Sequence, residues 1–514
     1  MKPDGKNPAK ELYQQLRQLS CEELWTREVP RFDRADEKER AARVGLVRAV
    51  GVVFSERGTE MQKQQAREWL RALLQDPVEK IRRYAMAALP KLGAAAGDEA
   101  ALLELLQRAE GERERKFLGQ TLEKIGGAAT LEEASDLGSR AEQKIKASVA
   151  RSTATTIRLE RVLTDFAGLR VHLRGRRGLE SMVQEEAQAR LGKQFRVAAV
   201  HPGLVMLEPL KPFSLGDLYA VRCCGSVAFV LGVAKRVSGA PSVAALAELI
   251  ASPLACRVLE TFTEGPIRYR LDFTDKGHQR GAIRELAGAV YQRCPELLND
   301  AREAPWAVEI HPAPQGLSVE LTPRLSPDPR FAYRQQDVPA ASHPPLAASM
   351  ARLALQSAAR EPETIWDPFC GSGLELIERS LLGGVKHLFG TDLSAEAIEI
   401  TKRNLAAAAL PAIPTTLHVC DFRDYARVPG LRPGALGLII SNPPLGRRVP
   451  IADLRGLIGS LFSAANVLLK PGGRLIFANP LRSEATIPGL KLLSRQKVDF
   501  GGFDCRVEVY VKTG

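Results

Sequence analysis

The 514-residue sequence lacks several features that would assign it to a familiar class of protein. No apolar run reaches the length needed to cross a membrane, and no signal-peptide pattern opens the chain. The eight cysteines are scattered without any C-x-x-C spacing, and the seven histidines are equally dispersed. We therefore expect no disulfide framework, no metal site and no membrane partner, and we predict a soluble, cytoplasmic protein.

Apolar residues and positive charge are both abundant. Hydrophobic residues make up 45% of the chain, which is enough for real cores, and its length predicts three or four domains. The formal net charge is +12 and the isoelectric point is about 9.4. This charge favours an anionic partner such as a nucleic acid, although a basic surface also arises from composition alone.

A glycine-containing turn between a strand and a helix is the first informative motif. The apolar run 364–366 predicts a strand that ends at Asp367, and helical spacing resumes at Leu374. Glycines in the turn let backbone N–H groups approach a carboxylate or phosphate at a helix N-terminus. We predict that the turn binds a nucleotide-like cofactor and that Asp367 could bind the ammonium group of this cofactor, directly or through water. The candidate turn residues are Phe369, Cys370, Gly371 and Gly373. For Cys370, a packing role is favoured over a nucleophilic one because no base accompanies it in the sequence.

Two further predicted strands also end in acidic residues. Asp392 follows the strand at 385–391, at the spacing of about 20 residues from the glycines where an acid holds the ribose hydroxyls of a nucleoside. Asp421 follows the strand at 416–420 and could face an adenine amino group. Because the carboxyl ends of parallel strands meet at one edge of a sheet, these acids and Asp367 predict a cofactor crevice there.

A fourth strand, at 436–440, leads into the turn Asn442-Pro443-Pro444-Leu445. The two prolines stiffen the turn and remove two N–H donors, so the turn presents acceptors. The Asn442 side-chain oxygen and the Pro443 carbonyl can both accept hydrogen bonds from one exocyclic amine, which directs the nitrogen lone pair toward a methyl donor. An ordinary loop explains this turn equally well in isolation, but together with the glycine turn and the three acids it favours amine methylation.

These motifs resemble those of class I S-adenosylmethionine-dependent methyltransferases. The glycine turn 367–373 and the segment 442–448 are most similar to the THUMP-associated RNA guanine-N2 methyltransferases. The resemblance implies S-adenosylmethionine as cofactor, with Asn442 near both cofactor and acceptor. It also implies RNA as partner, with Arg447 and Arg448 as RNA contacts. Residues 335–514 would then form an α/β, Rossmann-like methyltransferase domain with a mostly parallel seven-stranded sheet.

One position departs from the pattern of that family. After the two prolines the family usually has an aromatic residue that stacks on the target base, whereas this chain has Leu445. Leucine can cover a base face but forgoes π-stacking, which contributes about 1–3 kcal/mol per base.

The middle of the chain, residues 155–330, predicts an α+β module of strands and helices. In the resembling family a ferredoxin-like domain and a THUMP domain occupy this place, and the segment 177–180 is similar to their opening segment. Arg174, Arg176 and Arg177 follow a predicted strand and are candidate contacts to RNA phosphates; a solvated turn is an equal alternative.

The N-terminal part predicts helical repeats over residues 36–152, preceded by a poorly ordered or helical lead-in at 1–35. Segments 81–93 and 115–126 align at a constant offset, pairing Leu89 with Leu122. This pattern resembles HEAT-type repeats, which would offer a surface to a protein partner; a helical bundle is the alternative.

Three functions remain open from the sequence. The first is RNA methylation on an exocyclic base amine, with guanine N2 of rRNA or tRNA preferred. The second keeps the enzyme but changes the acceptor to adenine N6 in DNA or RNA, or to a protein glutamine. The third is a non-catalytic scaffold that binds RNA or protein.

Overall fold

The computed structural model describes residues 8–93, 95–133, 139–235, 242–275, 280–339, 341–356, 361–446, 451–481 and 487–513. The chain divides into two compact units. Unit 1 comprises Met1–Thr156, Val237–Ala251 and Thr263–Ala304, and unit 2 comprises Ile157–Arg236, Ser252–Phe262 and Pro305–Gly514. The four-domain division of the sequence stays a prediction. Within the described segments, no helix has both the length and the apolar character to cross a membrane.

The N-terminal part of unit 1 is built from helices. They are α1 (Pro8–Leu16), α2 (Cys21–Glu23), α3 (Val29–Arg34), α4 (Glu37–Ala42), α5 (Gly45–Arg57), α6 (Glu60–Ala72), α7 (Glu79–Ala88), α8 (Ala96–Arg108), α9 (Glu112–Ile125), α10 (Ala128–Glu133) and α11 (Ser139–Ser152). Capping boxes at Ser20 and Thr59 start α2 and α6 by satisfying backbone N–H groups. Leu89 and Leu122, which the sequence aligned, both lie in the core of these helices. The helical N-terminal region is thus confirmed, and its HEAT-type repeat stays a prediction.

Short strands and helices alternate over residues 156–323. They are β1 (Thr156–Ile157), β2 (Val162–Leu163), β3 (Arg170–Arg174), α12 (Glu180–Leu191), β4 (Phe195–His201), β5 (Leu204–Pro209), β6 (Phe213–Ser214), α13 (Leu215–Leu218), β7 (Ser226–Lys235), α14 (Val243–Ile250), α15 (Pro253–Phe262), β8 (Thr263–Glu264), β9 (Arg268–Phe273), α16 (Arg280–Arg293), β10 (Leu298–Asn299), β11 (Trp306–Ala313) and β12 (Gly316–Pro323). In unit 2, antiparallel pairing gives the order β11-β12-β7-β3-β5-β4. In unit 1, β9 and β10 pair in parallel.

The C-terminal part of unit 2 is an α/β domain. Its elements are α17 (Pro344–Gln356), β13 (Glu363–Asp367), α18 (Leu374–Leu381), β14 (Val385–Asp392), α19 (Ala395–Ala407), β15 (Thr415–Val419), β16 (Leu436–Ser441), α20 (Leu454–Leu468), β17 (Leu469–Asn479), β18 (Leu490–Asp499) and β19 (Asp504–Lys512). The seven strands follow the order β15-β14-β13-β16-β17-β19-β18. The first five are parallel, and β19 runs antiparallel to both of its neighbours.

The strand order places a crevice at the centre of this sheet. From β13 the chain first adds β14 and β15 on one side and then returns to add β16 and β17 on the other. Such a reversal leaves an opening outside the carboxyl ends of the two central strands, where ligands of open α/β sheets bind. Buried side chains hold the strands that flank this opening; they include Trp366, Leu436, Ile439, Leu475 and Phe477.

Candidate functional site

The predicted acidic residues lie at the carboxyl edge of the seven-stranded sheet. Asp367 ends β13 and Asp392 ends β14, while Asp421 follows β15 by two residues. The backbone N–H of Cys420 donates to the Asp392 carbonyl at 3.0 Å, which ties the ends of β14 and β15 together. The structure therefore brings the three acids to one edge, beside the turn that leads from β13 into α18.

The turn requires glycine at two positions. Gly371 and Gly373 have φ of +51° and +81°, in the left-handed region that other residues avoid. A Cβ atom at Gly373 would lie 2.9 Å from the Thr401 Cγ2 atom, so α19 packs directly against the turn. The Thr401 hydroxyl also donates to the Gly371 carbonyl at 2.8 Å, which fixes the shape of the turn.

Asp392 is oriented by backbone donors. Its Oδ2 atom accepts from the Gly371 N–H at 3.0 Å, and its Oδ1 atom accepts from the Ser394 N–H at 2.9 Å. Leu393, which lies between Asp392 and Ser394 in the chain, is 75% exposed. The sequence interpretation missed Leu393, although an apolar residue directly after a strand-end acid was a visible signal.

Asp367 is fully buried beneath the turn. Its Oδ1 atom accepts from the Ser441 hydroxyl at 2.6 Å and from the Phe369 N–H at 3.0 Å, whereas Oδ2 has no partner in the described part of the chain. Burial, followed by the negative charge of Glu375, raises the pKa of Asp367 well above its ordinary value. A cation beside Oδ2 would oppose this shift.

The remaining predicted cofactor residues are Asp421, Phe369 and Cys370. The Arg423 guanidinium binds the Asp421 carboxylate, with Nε to Oδ1 at 2.9 Å, and its hydrogen bonds lower the pKa of Asp421. The half-buried Phe369 ring lies 4.7 Å from that of buried Phe422, centre to centre. Burial raises the pKa of the Cys370 thiol well above its ordinary value, which agrees with a packing role.

The predicted catalytic turn follows β16 directly. Pro443 is buried, and Pro444 and Leu445 are half-buried. The Asn442 side-chain nitrogen donates to the Ser342 hydroxyl oxygen at 2.8 Å, and Ser342 in turn donates to the carboxylate of buried Glu375. Ser342 donates its one hydroxyl proton to Glu375, so toward Asn442 it can only accept, and it therefore faces Nδ2 rather than Oδ1.

This arrangement leaves the other polar atom of the Asn442 side chain, the oxygen Oδ1, as an acceptor. Asn442 Oδ1 is buried and has no hydrogen-bond partner among the described residues. Ser342 and Glu375 were missed in the sequence, where the only clue to them was an acidic residue within the apolar run 374–377 of α18. Burial raises the pKa of Glu375.

The arginines predicted to contact RNA are engaged within unit 2. Arg174 Nε donates to Glu320 Oε2 at 2.8 Å. Although burial acts in the opposite direction, hydrogen bonds from His172 and Arg174 lower the pKa of Glu320 to about 2. Arg176 donates from Nη1 to the Asp499 carbonyl at 2.9 Å, and its guanidinium lies 5.7 Å from the centre of the Phe500 ring.

The other predicted RNA contacts differ in their surroundings. Arg177 is exposed, and its carbonyl accepts from the Asp499 N–H at 3.0 Å. Arg447 and Arg448 lie outside the described residues. As for metals, no group of three or more His, Cys, Asp and Glu side chains in the described segments could hold an ion.

Comparison with known proteins agrees with this geometry. The RMKL-like methyltransferase domain matches residues 332–488. TrmN from Thermus thermophilus is 21% identical, with a TM-score of 0.51 over 67% of this chain and 99% of that one. A possible methylase from Clostridium difficile 630 is 17% identical, with a TM-score of 0.50 over 67% of this chain and 98% of that one. No curated protein sequence matches the chain.

The two structural matches share the fold, and the domain match covers the glycine turn, the three acids and the Asn-Pro-Pro turn. Together the domain match and the fold support a methyltransferase, with S-adenosylmethionine as its cofactor.

Proposed function

We propose that the chain is an RNA methyltransferase that transfers a methyl group to an exocyclic base amine, with guanine N2 of rRNA or tRNA as the preferred acceptor. The observation that carries the proposal is the unpartnered Oδ1 atom of Asn442. An acceptor that is buried without a partner costs about 1–3 kcal/mol, which an amine hydrogen bond would recover. The net charge of +12 supports RNA as the polymer that carries this amine.

The cofactor supplies an electrophilic methyl group. Asp392, held by two backbone N–H groups, has the position and the acceptor atoms to bind the ribose hydroxyls. The buried Oδ2 atom of Asp367 fits an ammonium group, directly or through water. Exposed Leu393 offers an apolar face to the adenine ring, and Asp421 lies at the same edge for its amino group.

The methyl transfer depends mainly on the orientation of the acceptor amine. One amine hydrogen bonds to Asn442 Oδ1 and the other to the Pro443 carbonyl, so the nitrogen lone pair points away from the turn. The nitrogen held in this way would be the nucleophile toward the methyl group that the bound cofactor supplies, and the proton that it loses would pass to water. Pro444 keeps the turn rigid, and Leu445 covers the base.

The proposal is tested in cells and in vitro. The rRNA or tRNA of a deletion strain should lack one methylated nucleoside, as measured by mass spectrometry of its nucleosides. Wild-type protein should restore that nucleoside. Asn442→Ala should not restore it, and its turnover on the same RNA should fall by a factor of about 10² or more.

The same measurements separate the alternatives. Loss of N6-methyladenosine in place of a methylguanosine would move the acceptor to adenine. If the nucleosides of the deletion strain match those of the wild type but a methylated glutamine is missing from one of its proteins, the substrate is a protein. No missing modification, together with RNA binding, would indicate the non-catalytic scaffold.

Other assignments remain predictions. They are the THUMP-like character of residues 155–330, the HEAT-like character of residues 36–152 with its protein partner, the cytoplasmic location, and RNA contact by Arg447 and Arg448. RNA contact by Arg174 and Arg176 would compete with their bonds to Glu320 and Asp499.

A further inference from the structure

Unit 1 contains a large groove that lies outside the site described above. Its volume is about 1060 Å³, and its walls come from α9, α11, β9, α16 and the turn after β10. Among the described residues, seven cationic side chains line it, against two carboxylates, Glu123 and Asp272. No motif of the sequence predicted this groove, because its walls come from segments that are more than a hundred residues apart.

The cations stand on both walls. One wall carries Lys124 at the end of α9 and Lys144 and Arg151 on α11. The facing wall carries Arg270 on β9, Arg280 and Arg284 on α16, and Arg302 after β10. Arg280 and Arg284 are four residues apart on one helix, which places their side chains about 6 Å apart on the same face.

The two walls are joined by direct packing. Ala147 and Ala150 of α11 share a core cluster with Tyr291 of α16 and Leu298 of β10. The buried Gln143 side chain donates from Nε2 to the Ala287 carbonyl at 3.1 Å. These contacts hold α11 and α16, which carry cations of the two facing walls, against each other.

The cations of the groove differ in whether a described residue pairs with them. Arg151 pairs with Asp300 at 3.1 Å, Arg270 pairs with Asp272 at 2.6 Å, and Lys144 contacts Glu123. By contrast, four exposed cations make no ion pair with any described residue: Lys124, Arg280, Arg284 and Arg302.

The crowding of these cations affects the pKa of Lys144. Burial, and then repulsion from the Arg284 guanidinium, lower the pKa of Lys144 even though its ammonium group contacts Glu123. The positive charges of the two walls therefore act on one another, and an anion in the groove would relieve that repulsion.

We propose that this groove binds the phosphate backbone of RNA and anchors the substrate of the proposed methyltransferase. Five of the seven cations are arginines, whose planar guanidinium groups bind phosphate oxygens in pairs. Unpaired charge on two facing walls suits an extended polyanion, whose contacts repeat along its length. The choice of RNA over an acidic polypeptide rests on the proposed function. The proposal gives the N-terminal helices a direct part in substrate binding.

The test uses the full-length protein and two fluorescently labelled RNAs, one single-stranded and one a hairpin. In the groove variant, Arg280→Gln and Arg284→Gln remove two unpaired charges. In the control variant, Arg113→Gln and Lys116→Gln remove two charges that are exposed on α9, make no ion pair with described residues and do not line the groove. Cofactor affinity and thermal unfolding report whether each variant is folded.

We expect the groove variant to bind RNA about tenfold more weakly near physiological salt, and we expect its negative slope of log affinity against log salt to become shallower by about 1.5. The control variant should bind like the wild type. Equal RNA affinity of the groove variant and the wild type would overturn the proposal, as would an equal loss in the control. Tighter binding of polyglutamate than of RNA would assign the groove to an acidic protein instead.

Failure of this proposal is separable from failure of the proposed function. Asn442→Ala should lose methyl transfer but keep the wild-type slope of log RNA affinity against log salt, because it removes no charge. If no RNA is methylated but the groove variant still loses affinity, the groove is an RNA site in a protein of another activity. If RNA is methylated and the groove variant binds normally, only the groove assignment is lost.

Discussion

Replacing Ser342 by alanine should lower turnover without weakening cofactor binding. Ser342 is 8% exposed, and its hydroxyl accepts from Asn442 Nδ2 at 2.8 Å and donates to Glu375. One such hydrogen bond contributes about 0.5–1.5 kcal/mol to holding the Asn442 amide in place. Because each 1.4 kcal/mol is a factor of ten, we expect the turnover number to fall about 2–10-fold. The loss should be smaller than that of Asn442→Ala, which removes the acceptor itself.

A matched variant separates positioning from general destabilisation. Ser349 is buried as well, and its hydroxyl donates to the Pro345 carbonyl at 2.7 Å rather than bonding to Asn442. Both Ser→Ala variants should lose about 1–3 kcal/mol of unfolding free energy. Only Ser342→Ala should lose turnover, with an unchanged KM for S-adenosylmethionine, in steady-state assays of methyl transfer to RNA from the deletion strain. The reasoning fails if the two variants lose turnover equally, or if Ser342→Ala keeps full turnover.

Three further outcomes are expected. Asp392→Ala should weaken the binding of S-adenosylmethionine by about 1.5–3 kcal/mol through loss of charge-assisted hydrogen bonds, as measured by calorimetry. Unchanged affinity would show that Asp392 is not part of the site. Burial raises the pKa of Glu375 above its ordinary value of 4.5, so the folded protein holds the carboxyl proton more tightly than the unfolded chain does. The free energy of unfolding therefore falls as the pH rises from 4.5 toward the raised pKa. Glu375→Gln should therefore gain stability relative to the wild type between pH 4.5 and the raised pKa in denaturant titrations, and a difference independent of pH would contradict this. Leu445→Tyr should be tolerated or should lower the KM for RNA, since a ring adds stacking area; an inactive variant would show a pocket shaped for another acceptor.

The parts of the site that the sequence predicted depend on local patterns. A strand, a glycine pair and a helix follow one another within 363–381, and the positive φ of Gly371 and Gly373 is what such a turn requires. Asp367 and Asp392 lie at strand ends, and parallel pairing of β13 with β14 is enough to bring those ends together. The α/β class and the cofactor edge could therefore be predicted without knowledge of distant contacts.

The surroundings of the arginines could not be predicted in this way. Arg174 bonds to Glu320, 146 residues away, and Arg176 bonds to the Asp499 carbonyl, 323 residues away. In the sequence both arginines belong to a polar, glycine-containing segment, which has the same composition whether it faces solvent or packs on another element. Only the pairing of β3 with β7, and of β7 with β12, shows that Glu320 lies within reach of Arg174.

The bonds from Asn442 through Ser342 to Glu375 join residues that are 100 and 33 positions apart. Their signal in the sequence is Glu375 itself, because an acidic residue within the apolar face of a helix is costly unless a donor meets it inside the fold. The identity of that donor depends on how α17 and its preceding residues pack on α18, which periodicity does not specify. A buried carboxylate thus predicts that a polar partner exists, and the fold decides which one. Here the fold supplies Ser342, and through it the orientation of the side chain that we propose holds the acceptor amine.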